Sequence, residues 1–347
     1  MNPRDQLNFP RVVGLDSLRA IMALVVFMFH DAAPPLMLGY DSTSSFLRKL
    51  NVLFNWSFNG QMAVVVFFLI SGFCIHYPYT TRRLQPAAFY TNRALRLTLP
   101  AVAAIALTWV FKFRQTFQLN GVPIRSLWCE LTYYLFYPFF LILIRQGRLN
   151  LLLVMSYGLA FTILGLSPAH DRYHEYGYLS TTAIGLPVWL LGAYFAEHAS
   201  KYRPKQNLTL CVWIYRAIMV VLCCATLTAS SRHLLGLGWS LTLASPFLFF
   251  WIREETTYFA AVPPPQFLER IGKFSYSIYL LHLMILFSLS KLMINRLGGN
   301  IAWCIKVTCV LGISYLFYLI VEAPSHRLSR QLGEFVSKRT SRMPFYI

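Results

Sequence analysis

Arg19 and His30 stand eleven residues apart in the stretch RAIMALVVFMFH, with no charged residue between them. On an α-helix that spacing is about three turns, so the two side chains share a face about 16 Å apart along the axis. A guanidinium can grip a phosphate or carboxylate. An imidazole can take or give a proton near neutral pH. One helix face could therefore hold an anionic group at one end and move a proton at the other. Asp16, one turn before Arg19, could pair with it. The bland alternatives are an arginine that snorkels to lipid phosphates and a histidine in interfacial water.

Four further stretches carry chemistry. In FYTNRALRLTLP (89–100), Arg93 and Arg96 stand at i,i+3 and share a helix face, which suits an anion clamp as well as a membrane-boundary anchor. In SLWCELTYYLFYP (126–138), Glu130 falls on one broad face with Ser126, Tyr133, Tyr134 and Tyr137. Aromatic belts explain tyrosines but not a glutamate within an apolar segment, so Glu130 reads as an acid, a base or the group that orients a histidine, with a structural ion pair as the alternative. In FFLISGF (67–73), Ser71 and Gly72 are small enough for another helix to approach closely. In IGKFSYSIYLLHLMIL (271–286), Ser275, Tyr279 and His282 share a stripe, and His282 either bonds to another helix or lines a cavity with Ser71, Tyr134 and Tyr279.

Other signals are weaker. HDRYH (170–174) has histidines at i,i+4, but no third ligand is evident and no metal is expected. Glu322, in VEAPSHRLSR, reads as an anchor for the tail. No GxSxG surrounds Ser71, and no GxGxxG, Walker loop or HExxH occurs in the chain.

These residues sit in segments that must be held by a bilayer. The chain has 347 residues, of which 56% are hydrophobic and only 13% charged, and its mean hydropathy is +0.51. Apolar runs recur from end to end, each near the length of about 20 residues that crosses a hydrocarbon core. They predict an all-α polytopic membrane protein with about ten spans: 14–33, 61–78, 97–111, 127–144, 149–166, 181–198, 209–229, 234–252, 274–290 and 302–322. Ten spans put both termini on one face. Nineteen lysines and arginines then fall on that face and nine on the other, with three inside spans, so the positive-inside rule makes both termini cytoplasmic.

The net charge of +18 is spread over short loops, which fits anionic lipid and excludes a nucleic-acid surface. The seven cysteines show no CxxC spacing and read as packing residues. The N-terminus reads as no cleavable signal. A single domain over 1–347 is expected, ending in a basic cytoplasmic tail at 323–347, with AVPPPQFL (261–268) a stiff connector before the ninth span.

From GLDSLRAIMALVVFMFH to VEAPSHRL, the chain resembles the acyltransferase-3 family of integral membrane acyltransferases, which O-acylate bacterial glycans and related molecules. Six blocks stand in family order: the arginine–ten residues–histidine opening, FFLISGF, FYTNRALRL, SLWCELTYYLFYP, IGKFSYSIYLLHLMI and a terminal E-x-P. The resemblance implies a bacterial inner-membrane protein and an acyl-CoA donor, usually acetyl-CoA, approached from the cytoplasm. It implies a cell-surface or lipid-linked glycan hydroxyl as acceptor. It maps its active arginine and histidine onto Arg19 and His30, its paired arginines onto Arg93 and Arg96, and its glutamate onto Glu130. A ninth-span histidine maps more loosely onto His282. Many members carry an SGNH-type extracytoplasmic domain, for which this chain is too short, and CEL stands here where V-E is commoner.

The residues and the resemblance lead to one expectation. Arg19, Arg93 and Arg96 would hold coenzyme A phosphates. His30 would act as general base or transient acyl acceptor, and Glu130 would orient its imidazole. The rival expectation is an exporter of a lipid-linked saccharide that uses the same buried charges as a pathway.

Overall fold

The computed structural model describes residues 12–31, 45–110, 122–167, 173–199, 208–292, 297 and 299–340. Every regular element among them is helical. The order is α1 (Leu15–Asp31), α2 (Ser45–Ser57), α3 (Gly60–His76), α4 (Pro86–Val110), α5 (Val122–Arg145), α6 (Leu149–Leu166) and α7 (Gly177–His198). Then follow α8 (Leu208–Ser231), α9 (Leu237–Ala261), α10 (Gln266–Gly272), α11 (Ser275–Lys291), α12 (Gly299–Phe317) and α13 (Ala323–Thr340).

Among the described residues, seven helical stretches are long and apolar enough to cross a membrane, or eight if the bent pair α10–α11 is one span. The expected ten included α1 and α9, which are not among them. α1 has only 17 residues. α9 carries Arg253, Glu254 and Glu255 in its last third. Hydropathy counts those side chains at full cost, but the fold pairs them: Arg253 bonds Glu254, and Arg216 of α8 grips Glu255 through two hydrogen bonds of 2.7 and 2.9 Å. Large apolar side chains such as Leu135, Phe139, Val154, Met155, Val221 and Leu316 face outward, as a hydrocarbon surround requires.

α3 is the central helix. Its N-terminus is capped by the buried Asn59, whose side chain accepts from the Met62 N–H at 3.0 Å and donates to Thr226 of α8 at 3.0 Å. Its sequence is apolar on every face, so neighbours must cover it on every face, and Val66, Leu69, Ile70 and Phe73 are fully buried. The close approach foreseen for Gly72 occurs against α7. A Cβ on Gly72 would stand 1.9 Å from the Trp189 carbonyl oxygen, and one on Gly192 would stand 2.0 Å from the Leu69 carbonyl oxygen. Two reciprocal glycines bring these backbones into contact.

α10 and α11 meet at an angle of 72° around Lys273 and Phe274, after the proline connector. α10 docks on α1: the Ser17 N–H and Oγ both donate to Glu269, and a Cβ on Gly272 would meet the Asp16 carbonyl oxygen at 2.0 Å. At the other end, a π-helical turn (Tyr318–Glu322) separates α12 from α13. Pro324 stands two residues after Glu322 and has no N–H to return four residues back, so the ladder widens there. The basic tail expected at 323–347 is a helix over its described part, and it lies along α4: Ser325 Oγ donates to the Leu95 carbonyl at 3.2 Å, and Ser337 bonds Gln85.

Candidate active site

α1 presents both ends of its polar face as expected, but each end opens into a different cavity. The larger has a volume of about 470 Å³ and collects Arg19 from α1, Ser71 from α3, Arg93 and Arg96 from α4, and Glu130 and Tyr134 from α5. The smaller, about 90 Å³, holds His30 and Phe29 from α1, Gln61 from α3, Arg125 from α5 and Thr181 from α7. Val64, Phe68 and Ser126 line both, so a wall about one side chain thick separates them.

The arginine cavity joins three guanidiniums from two helices. Arg19 is held in place, its Nη1 3.4 Å from Asp16 Oδ1 and its Nη2 3.3 Å from Cys74 Sγ. Arg93 and Arg96 make no hydrogen bond or ion pair among the described residues, and both face the cavity. Lys273 adds a fourth cation at the break between α10 and α11. Asp16, Glu130 and Glu322 supply negative charge, but Asp16 is engaged with Arg19, and Glu322 accepts from Ser277 and lies 3.7 Å from His326. The two unpaired guanidiniums form a fork-like anion site, and a volume of this size suits a sizeable ligand.

Glu130 does not meet His30. Its Oε1 accepts from Ser71 Oγ at 2.7 Å and from the Tyr134 hydroxyl, while Ser71 and Tyr134 oxygens lie 3.3 Å apart. Each hydroxyl has one hydrogen, and both hydrogens go to the carboxylate. The expected orientation of the His30 imidazole by Glu130 is therefore not made in this arrangement. The helix explains it: Glu130 lies one turn along α5 from Ser126, about 6 Å deeper into the arginine cavity than the wall.

The group beside His30 is instead His282 of α11. The two rings have centroids 5.3 Å apart and an interplanar angle of 36°. His282 is buried, and its Nδ1 stands 2.9 Å from the Tyr279 carbonyl and 3.2 Å from that of Ile278. Tyr279 bonds Ser126 through its hydroxyl at 2.5 Å, so α11 touches the shared wall as well. Next to His30, Asp31 is tied to Lys306 of α12 at 2.6 Å, which fixes the end of α1.

The sequence reading thus named Arg19, Arg93, Arg96, Ser71, Glu130, Tyr134 and Tyr279, which line one cavity, and His30, which lines the other. It singled out neither Gln61 nor Arg125 of the histidine cavity, nor Tyr276 and His326 of the arginine cavity. Arg125 carries a signal, a basic residue five positions before Glu130 at the edge of the span expected at 127–144. Gln61 had none, since a glutamine at the start of an apolar helix is common on any boundary. His170 of the possible zinc pair lies outside the described residues, as does the side chain of His174. No group of three metal-ligating side chains occurs among the described residues.

Comparison with known proteins bears out the resemblance, with the first five blocks inside the matched part. The acyltransferase-3 family model, described as an acyltransferase domain, matches residues 12–319. This chain belongs to that family. Both cavities and every candidate residue fall within the matched part, except Glu322 and His326 at its end. A relative among family acyltransferases is the Bacillus subtilis (strain 168) protein named "Putative peptidoglycan O-acetyltransferase YrhL", 23% identical over 371 aligned positions. That alignment covers 90% of this chain and 54% of the relative, so the chain spans about half of that protein's length. No solved structure matches this acyltransferase-family chain.

Proposed function

We propose that the protein is a membrane O-acyltransferase that takes an acetyl group from acetyl-CoA in the arginine cavity and passes it to a glycan or lipid-linked sugar hydroxyl in the histidine cavity. The observation that carries this reading is the pair of cavities that meet at Val64, Phe68 and Ser126, with an unpaired arginine fork on one side and His30 on the other. Arg93 and Arg96, with Arg19, bind the donor's phosphates. The acyl-bearing arm then reaches between α3 and α5 towards the wall. His30 takes the proton of the acceptor hydroxyl as its oxygen attacks the thioester carbonyl. The new C–O bond forms, the C–S bond breaks, and the proton returns from His30 to the departing thiolate. Glu130 supports the donor side: it fixes Ser71 and Tyr134 against one another and sets a negative charge opposite the arginines.

The excess of positive loops on the terminal side supports an arginine cavity that opens to the cytoplasm, with N-in and C-in topology in a bacterial inner membrane. The acceptor would then come from the outer face, as a cell-surface or lipid-linked glycan. The relative's name supports a glycan acceptor.

Inverted membrane vesicles supplied with acetyl-CoA labelled in the acetyl group test the reading. Label is expected in a glycan or glycolipid fraction with the wild-type chain, and a loss of about 10³-fold is expected for His30→Ala. Wild-type vesicles that leave all label in acetyl-CoA, offered a full glycan extract, would overturn it.

A further inference from the structure

We propose that His282 is the positioning residue for His30: its ring nitrogen Nε2 accepts a hydrogen bond from the His30 N–H and thereby turns the other His30 nitrogen, as a lone pair, toward the acceptor hydroxyl. The inference rests on the base role proposed above for His30. It assigns to α11 the task that the sequence had led one to give Glu130.

Three observations carry it. The first is the His282 tautomer. Its Nδ1 lies 2.9 and 3.2 Å from two backbone carbonyl oxygens of its own helix, those of Tyr279 and Ile278. A carbonyl oxygen can only accept, so Nδ1 carries the hydrogen. The second is the other nitrogen. Nε2 is buried and makes no hydrogen bond among the described residues, on a side chain that is 1% exposed. An N–H there would be a buried donor with no acceptor, and a charged one at that, whereas a lone pair leaves an acceptor waiting for a donor. The third is the neighbour. The His30 ring lies 5.3 Å away, centroid to centroid. Two imidazole nitrogens aimed at one another across that centroid spacing stand roughly 3 Å apart, an ordinary hydrogen-bond length. His30 faces its cavity and has room to turn, while His282 is pinned from behind by the helix backbone.

Two nearby carboxylates have partners elsewhere, while the buried Gln61 Oε1 in the histidine cavity makes no hydrogen bond among the described residues and is a competing acceptor for the His30 N–H. Glu130 Oε1 serves Ser71 and Tyr134. Asp31 Oδ1 accepts from Lys306, while its Oδ2 has no hydrogen bond among the described residues. The role left for His282 follows the logic of a triad, in which the third member selects the tautomer of the base and fixes its direction. A neutral imidazole fills that place here.

The test uses the full chain purified and placed in lipid nanodiscs. Wild type, His30→Ala, His282→Leu and His282→Gln are compared for acetyl transfer and for binding of coenzyme A by calorimetry. His282→Leu removes the acceptor, and kcat is expected to fall roughly 100-fold with KM for acetyl-CoA and coenzyme A binding unchanged. His282→Gln keeps an acceptor oxygen and is expected to recover at least tenfold of that loss. A structural role for His282 would give no such rescue and would disturb coenzyme A binding. His282→Leu at wild-type kcat, or His282→Gln as slow as His282→Leu, overturns the inference. Full activity in His30→Ala instead overturns the base role itself, so the two failures are distinct. A measurement on the unaltered chain stands beside these: nitrogen NMR of ¹⁵N-histidine-labelled protein in lipid. The resonances lost in His282→Gln are expected to be those of a neutral ring with its hydrogen on Nδ1, and a hydrogen on Nε2 would overturn the inference.

Discussion

The arginine cavity and the histidine cavity share Val64, Phe68 and Ser126, and beyond that wall their linings differ in kind. The first is about 470 Å³, and charged side chains of both signs come to it from α1, α4, α5, the α10–α11 break and the π turn before α13. The second is about 90 Å³ and holds one imidazole, one amide, one guanidinium and two hydroxyls among apolar side chains. A charged donor gains from the first, where fixed cations replace its hydration. A single hydroxyl fits the second, where few polar groups compete for the base. On the function proposed above, the contrast is a division of labour: donor binding on one side of a thin wall and proton transfer on the other. Water that crosses freely would join these tasks wastefully, by hydrolysing the thioester.

Four predictions bear on that contrast. The largest effect is expected from Arg93→Ala with Arg96→Ala. Each lost charge-assisted hydrogen bond costs about 1.5–3 kcal/mol, so KM for acetyl-CoA should rise by two orders of magnitude or more while kcat changes little. Initial-rate kinetics in nanodiscs check it, and a loss confined to kcat would erase the division between the cavities. Arg96→Lys should recover only part of the binding, since an ammonium lacks the planar fork.

A smaller effect is expected from Phe68→Ala, which thins the shared wall. Phe68 is 8% exposed and borders both cavities. Its removal should admit water, so that release of coenzyme A thiol without acceptor rises about tenfold, together with a stability loss of about 3–5 kcal/mol. Thiol release that still requires acceptor would show that Phe68 does not form the seal. The smallest effect is expected from Glu130→Gln. The amide oxygen can still accept from Ser71 and Tyr134, so the network holds while the negative charge is lost. Transfer should fall several-fold, far less than in His30→Ala. A drop equal to that of His30→Ala would return Glu130 to the reaction centre.

Much of this was legible in the residues. The i,i+11 spacing of Arg19 and His30 places both on one face of one helix, and α1 carries them so. Gly72 announced a close helix crossing, and α7 supplies it through Gly192. The stripe Ser275, Tyr279 and His282 is real, since one helix settles it. The ten-span count was less secure, because hydropathy cannot see that Arg253 and Glu254, or Arg216 and Glu255, cancel one another across or along helices. Glu130 stood out as an outlier in an apolar run, with Tyr134 on its face, but its other partner did not. Ser71 lies 59 residues away in the chain, and no periodicity relates the two.

The sequence by itself determined the helical membrane character and the side chains that share each helix face. These follow from local periodicity and from the cost of polar groups in hydrocarbon, which act residue by residue. The tertiary structure alone decided which faces meet: Glu130 with Ser71 and Tyr134, His30 with His282, and a wall of Val64, Phe68 and Ser126 between them. Those meetings depend on the rotation and depth of each helix against its neighbours. Such placement is set by packing, as where Gly72 and Gly192 let α3 and α7 touch, and packing is a property of pairs of helices that no single segment contains.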